Sequence, residues 1–421
     1  MEQKRAGFLA PYHVLDLTDE RGLLAGWMLG RLGADVIQIE PQGGSSARNV
    51  PPFAQDAPPG ENSLYWSAYA SGKRSITCAL DRAEGRSLLH RLVAKADVLF
   101  ESQGPTLHPE LRFKTLKNIN PRLVHVTITP FGSDGPKAQY ADSELIVWGA
   151  AGPLWPNRDH CGTPYRISAP QAYLHAGADA ASGALLALFA RNRTGRGQHV
   201  DVSAQQSVAL TTLSSNMSAA LGHKNFSIDS PSQTDEPHSV GKRKLRLKWL
   251  VKDGFVQMHI GMGPVDGRFT NQLFDWMRRQ GAVPSGVAQW DWIQLPKLIE
   301  SGQVSEEQVE EARAAVAASL ARYTKREIIE IVLAERLPMA PGLTVAEVRE
   351  SKHFSVRGLF EMIDENGRPR TLPGRFGLTS IPSHAATRPA PRLGEHNDAV
   401  YEDFLGLAPE ELAQLKQEGI V

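Results

Sequence analysis

Cysteine is almost missing from this 421-residue chain, which holds only Cys78 and Cys161. Two thiols cannot build a disulfide framework, and they lack the spacing of a zinc site, so no metal centre is expected. Each reads as a small buried hydrophobe rather than a nucleophile. No stretch approaches the roughly 20 apolar residues that cross a bilayer. The opening octapeptide MEQKRAGF has no apolar signal core. An excess of one charge is absent too, with 46 Lys and Arg against 46 Asp and Glu. No global field therefore draws nucleic acid or a membrane, and an anionic ligand must be met by a local cluster. The expectation is a cytoplasmic protein with neither kind of partner.

What is present is a globular composition, 41% apolar and 22% charged. At this length two or three domains are expected. His13 to Thr18 is a short apolar run with the look of a buried strand, Gly22 to Leu32 has helical spacing, and Asp35 to Glu40 is a second strand. Strand, helix and strand in so short a span make a βαβ unit, hence a parallel sheet with a right-handed crossover. The pattern continues with Arg74–Leu80, helix Glu84–Ala94, Asp97–Phe100, a helical Pro109–Ile119 and Leu123–Thr129.

Such a sheet binds ligands beyond the carboxyl ends of its strands, here Thr18–Arg21, Glu40–Arg48, Glu101–Gln103 and Phe131–Gly132. Glu40 stands where a ribose-binding acid would stand in a nicotinamide dehydrogenase. That reading fails at the phosphate turn, because Thr18–Gly26 lacks Gly-x-Gly-x-x-Gly. Further on, Leu245, Leu247 and Trp249 alternate with cations as in a half-buried strand, and Asp253-Gly254 signals a hairpin. Thr324 and Glu327 form a capping box, while Pro409 and Gly419 bracket the last helix.

Six segments resemble the family III CoA-transferases in order along nearly the whole chain. They are Leu32–Pro41 continuing to Arg48, Gly72–Ser75 with Glu84–Arg86 and Ala96–Val98, Asn120–Leu123, Phe131–Pro136, Thr194–Ser203, and Pro391–Asp398. The resemblance implies an α/β fold, with a Rossmann-like large domain that binds coenzyme A and a smaller α+β domain. It also implies two chains interlocked as linked rings. Residues 1–222 would form the first part of the large domain, 223–340 the small domain, and 341–421 a segment returning to the large one.

In that family an aspartate attacks the acyl-CoA thioester and later carries CoA to an acceptor acid. Its place is about two dozen residues before the Thr-Gly-x-Gly-Gln turn, which here falls at Tyr173. A phenol titrates near 10 and is no substitute for a carboxylate. Asp179 lies about 600° further round the helix and is a weak alternative. Asp142 and Glu144 precede another helical segment, and His175 in its Ala/Gly-rich surroundings reads as structural.

The family's Glu-Asn-Phe segment reads Glu101-Ser102-Gln103 here, and the arginine that usually follows is missing between Gly104 and Pro109. Arg21 replaces a small neutral side chain near CoA. Ser102, Gln103 and Arg21, with Arg48, Lys73, Arg74 and Lys137 as phosphate partners, are the candidate CoA contacts. Lys242-Arg243-Lys244 reads as a solvated face.

The resemblance thus implies a transferase subunit lacking its own nucleophile. A homologous subunit bearing the aspartate would be its partner, with an acyl-CoA such as succinyl-CoA as donor and a carboxylic acid as acceptor. Three alternatives stand beside it. One is an active homodimer using Asp179 or Asp142. Another is a CoA-ester isomerase of the same superfamily, which would need a histidine that Ser143–Trp148 lacks. The third is a non-catalytic stabilising partner.

Overall fold

The computed structural model describes residues 7–154, 157, 163–213, 217, 238–240, 243–380 and 387–421. They divide into two compact units, one of Met1–Leu154, Arg166–Ser214 and Arg349–Val421, the other of Trp155–Tyr165 and Ser215–Val348. Cys161 and Lys242 lie outside the described residues.

The first unit is built on six parallel strands: β1 (His13–Leu17), β2 (Asp35–Glu40), β3 (Arg74–Thr77), β4 (Val98–Glu101), β5 (Val124–Thr129) and β6 (His199–Ser203). Their spatial order is β3-β2-β1-β4-β5-β6. This is the doubly wound order, with its switch point between β1 and β4. Strands β1, β2, β4 and β5 are buried along almost their whole length because both faces are covered. Val14, Val98, Phe100, Val124 and Val126 turn to one core, while Leu15, Ile37, Leu99 and Ile76 turn to the other.

Helices α1 (Leu23–Arg31), α2 (Leu64–Tyr69), α3 (Ala83–Val93), α4 (Phe113–Ile119), α5 (Glu144–Ala151) and α6 (Ala172–Thr194) follow in chain order, and α1, α5 and α6 prepare the ligand end. On α6 the residues Ala172, Ala176, Ala180 and Ala184 are fully buried. Small side chains let α6 come close to α1, and a Cβ at Gly177 would sit 3.1 Å from Leu24 Cβ. Gly195 ends α6 with φ +72°, and a Cβ at Gly197 would lie 2.0 Å from the Leu123 carbonyl oxygen. The Thr194–Ser203 motif is therefore a device for turning α6 into β6, and glycine is required there by geometry.

The C-terminal motif has a comparable role at the opposite edge. Asn397 Oδ1 accepts the Thr77 N–H at 2.9 Å, His396 N–H donates to Ser75 O at 2.9 Å, and Tyr401 Oη donates to Thr77 O at 2.7 Å. The outer edge of β3 is thereby paired rather than left as an open strand edge.

In the second unit, β7 (His238–Val240) pairs with β8 (Arg243–Leu245). A three-stranded antiparallel sheet joins β9 (Lys248–Val251), β10 (Gly254–Met258) and β11 (Met339–Pro341). Its core gathers Trp249, Val256, Phe274 and Val316 from these strands and from helices Gly267–Arg279 and Glu306–Leu320, with Trp292 from a turn between the two helices. The capping box at Thr324 and Glu327 is formed, and the hairpin turns at Lys252-Asp253, with Gly254 (φ +149°) opening β10 opposite Val251. A second box, Ser305 with Gln308, opens Glu306–Leu320 and went unread in the sequence.

Candidate active site

Two cavities open at the carboxyl ends of the parallel strands in the first unit. The larger, about 650 Å³, is lined from β1, β2, β3 and β4 by residues including Leu17, Glu40–Gly43, Cys78–Arg82, Gln103 and His108. The smaller, about 400 Å³, is lined by Asp19, Arg21, Tyr65, Asp142, Tyr173 and Leu174 among others. Leu17 at the end of β1 lines the larger, and Asp19–Arg21 just beyond it line the smaller.

Tyr173 stands in the first turn of α6, and its hydroxyl donates to Asp142 Oδ2. Burial, the Asp142 contact and the negative field of Asp142 all push the phenol well above its ordinary range, so it stays protonated. Arg21 Nε and Nη2 donate to the Asp19 carboxylate at 2.6–3.0 Å, and Nη1 lies 3.9 Å from Asp142 Oδ1. Burial opposes the Arg21 charge, but pairing with Asp19 outweighs it. One guanidinium thus stands between two carboxylates, and the cavity offers no surplus positive charge to an incoming acid. Tyr65 Oη holds the same loop by donating to Glu20 O at 2.8 Å.

Glu144 has a structural duty. Its Oε1 accepts the N–H groups of Gln171 and Ala172 and the indole N–H of Trp148, capping the start of α6 in place of a local side chain. Asp179 and His175 are exposed on α6 and line neither cavity.

The cations assigned to phosphates are mostly spent inside the protein. Arg48 is 6% exposed, holds Glu40 at 2.7 and 2.8 Å, and stacks 3.9 Å over Trp66. Lys73 Nζ donates to Asp16 Oδ2 at 2.8 Å, Leu23 O at 3.0 Å and Gln38 Oε1 at 3.0 Å. Its burial lowers the ammonium pKa, and Asp16 supplies the compensating charge. Arg74 pairs with Asp35 on the neighbouring strand. Lys137 is exposed beside Phe131 and lines neither cavity.

Arg48, Lys73 and Arg74 each pair with a carboxylate of the sheet, Glu40, Asp16 and Asp35. Arg21 belongs to the Tyr173 cavity rather than to the larger one. Ser102 is 2% exposed, with its hydroxyl turned to the Asp19 N–H at 3.1 Å. Gln103 alone of the seven lines the larger cavity.

Arg82 and His108 also line that cavity and were missed. The available signal was position, since Arg82 lies just beyond β3 and His108 shortly after β4, where this topology puts ligands. Cys78 lines it as well, but burial pushes its thiol up to about 12, which removes the thiolate a nucleophile needs. Among the described residues no group of three or more His, Cys, Asp or Glu could hold a metal ion, and no helix is long and apolar enough to cross a membrane.

A doubly wound sheet with one cavity at its strand ends and a second at the start of α6 defines an α/β fold whose ligand sites lie at the carboxyl ends of its strands. The CoA-transferase family III pattern matches residues 9–397, and the chain belongs to that family. It is 29% identical over 91% of its length to the succinyl-CoA:(R)-benzylsuccinate CoA-transferase subunit BbsE of Thauera aromatica, covering 91% of that protein. It is 27% identical over 97% of its length to the formyl-CoA:oxalate CoA-transferase of Streptomyces coelicolor, covering 98% of it. A crystal structure of a CAIB/BAIF family protein from Brucella suis superposes with a TM-score of 0.75 at 26% identity, covering 95% of this chain and all of that one.

Proposed function

We propose that this chain is the nucleophile-lacking subunit of a CoA-transferase that moves CoA from succinyl-CoA to benzylsuccinate, a dicarboxylic acid bearing an aromatic ring. The observation that carries the reading is Tyr173, a protonated phenol hydrogen-bonded to Asp142 where the family places its nucleophilic carboxylate. The likeness to a protein described as one subunit of such an enzyme supports it. The aspartate then belongs to a homologous partner subunit.

In the transfer, the partner's carboxylate attacks the succinyl-CoA carbonyl, and CoA thiolate leaves as a mixed anhydride forms. CoA thiolate attacks the aspartyl carbonyl of that anhydride, which releases succinate and leaves an aspartyl-CoA thioester. The acceptor carboxylate attacks this thioester and expels CoA thiolate. The thiolate then takes the acyl group of the second anhydride and frees the aspartate. In this chain the larger cavity holds the nucleotide half of CoA, with Arg82 and His108 as phosphate partners in place of the missing arginine.

The test is to express the chain alone and with candidate partners and to assay CoA transfer. Activity only in the mixture, abolished when the partner's aspartate becomes asparagine, is the expected result. Full activity of the chain alone overturns the reading.

One contact favours a second reading. Asp142 is a carboxylate in the smaller cavity, with Tyr173 and Arg21 at hand to orient it. Were it the nucleophile, the chain alone would transfer CoA, and mass spectrometry would find the acyl or CoA adduct on Asp142 rather than on the partner.

A further inference from the structure

The turn that ends β4 lines the larger cavity at Gln103 and is hydrogen-bonded through Ser102 to Asp19, which lines the smaller. Glu101, 1% exposed, uses Oε2 to accept the N–H groups of Gln103 at 2.7 Å and Gly104 at 2.8 Å. Gly104 has φ +50°, and a Cβ there would lie 2.4 Å from Thr129 Cγ2, so the turn is pressed against β5. Ser102, between them, accepts the Asp19 N–H through its hydroxyl, and Asp19 in turn grips Arg21. Gln103 faces the larger cavity, while Asp19 and Arg21 face the smaller. Two hydrogen-bonded steps thus run from the floor of one cavity to the wall of the other, across the switch point between β1 and β4.

The arrangement is costly for a loop alone. Burial raises the Glu101 pKa against the help of Thr127 and the two N–H groups. Among the described residues no Lys or Arg pairs with it, and His125 Nε2 lies 4.0 Å from Oε1. A serine or asparagine could turn the chain without burying a charge.

We propose that Glu101 and Ser102 are positioning residues that lock the β4-end turn to the β1-end loop, so that one CoA thioester is held at its nucleotide and acyl ends together. The inference rests on the larger cavity being the nucleotide site. Glu101 sets the turn that meets the nucleotide half. Ser102 sets the loop that meets the acyl end.

Isothermal titration of the full chain with CoA and with adenosine 3′,5′-bisphosphate tests this, beside the melting temperature of each variant. Ser102→Ala should weaken CoA about tenfold, the worth of one hydrogen bond, and leave the bisphosphate unchanged. Glu101→Gln should weaken both ligands, and should Glu101→Gln fail to fold, Ser102→Ala carries the test. Unchanged affinities in both variants overturn the coupling alone. Equal losses for both ligands in Ser102→Ala, tracking a lowered melting temperature, also overturn it, since they mark a merely structural role. A wild-type chain that binds neither ligand overturns the nucleotide-site reading, and the coupling with it.

Discussion

The Tyr173 hydroxyl donates a hydrogen bond to Asp142, joining the first turn of α6 to the segment before α5 across the smaller cavity. The contact ties the start of α6 to a nearby acid. Burial and the Asp142 charge push the phenol well above its ordinary range and keep it protonated.

Tyr173→Phe is expected to lower stability by about 1 kcal/mol, the net worth of one such bond, and to leave CoA transfer by the mixed complex intact. Asp142→Asn should likewise spare it. Urea denaturation and a CoA-transfer assay check both, and loss of transfer in Asp142→Asn would favour catalysis by this chain.

Lys73→Met should be severe. It leaves Asp16 buried beside an apolar side chain, and breaking a buried pair this way costs about 3–5 kcal/mol. Asp16 also anchors Thr18 N at 3.0 Å at the end of β1. Chemical denaturation would show the loss, and a variant as stable as wild type would contradict the ion pair.

Gly197→Ala should destabilise the chain by at least about 1–3 kcal/mol, because the new methyl meets the backbone at Leu123 rather than a side chain that could move. Gly286→Ala is the control, since no atom lies within 4 Å of its Cβ position. Melting temperatures of the two variants should separate clearly.

His125 gives a pH prediction. Burial, with the charge of His199 behind it, pushes its folded pKa down to about 3 from 6.5. Below pH 6.5 the unfolded chain takes up a proton that the folded chain refuses, so this contribution is present above 6.5 and is lost on acidification. Stability of wild type relative to His125→Leu should fall by about 1.4 kcal/mol per pH unit between 6.5 and 3. Denaturation midpoints at pH 7, 6 and 5 check it, and a constant difference would rule it out.

Arg82→Ala and His108→Ala should each weaken CoA about tenfold or more, the range of charge-assisted bonds to phosphate. Titration calorimetry reads it, with exposed Lys137→Ala as a control expected to change nothing.

Much of the fold was legible in the chain. β2 is seen over the very residues read from its apolar run, and the other strands end within about three residues of expectation. Runs of Val, Ile and Leu between helical segments have few other solutions. Tyr173 and Gln103, placed by motif spacing and strand ends, each line a cavity of the first unit. The ion pairs of Arg48, Lys73 and Arg74 were not legible. A cation looks the same in a sequence whether it faces a phosphate or a carboxylate, and Lys73 finds Asp16 from 57 residues away.

By itself the sequence determined the local decisions: the alternating strands and helices, the Thr324 capping box, the glycines that turn α6 into β6, and the lack of aspartate at 173. These depend on residue type and on neighbours a few positions off. Tertiary structure alone decided the strand order, and with it which charges meet. It gave Lys73 to Asp16, Arg74 to Asp35, and the Asp19 N–H to the Ser102 hydroxyl. Electrostatic partners are chosen by proximity in space, and in a sheet ordered β3-β2-β1-β4-β5-β6 that proximity is fixed only when the strands pair.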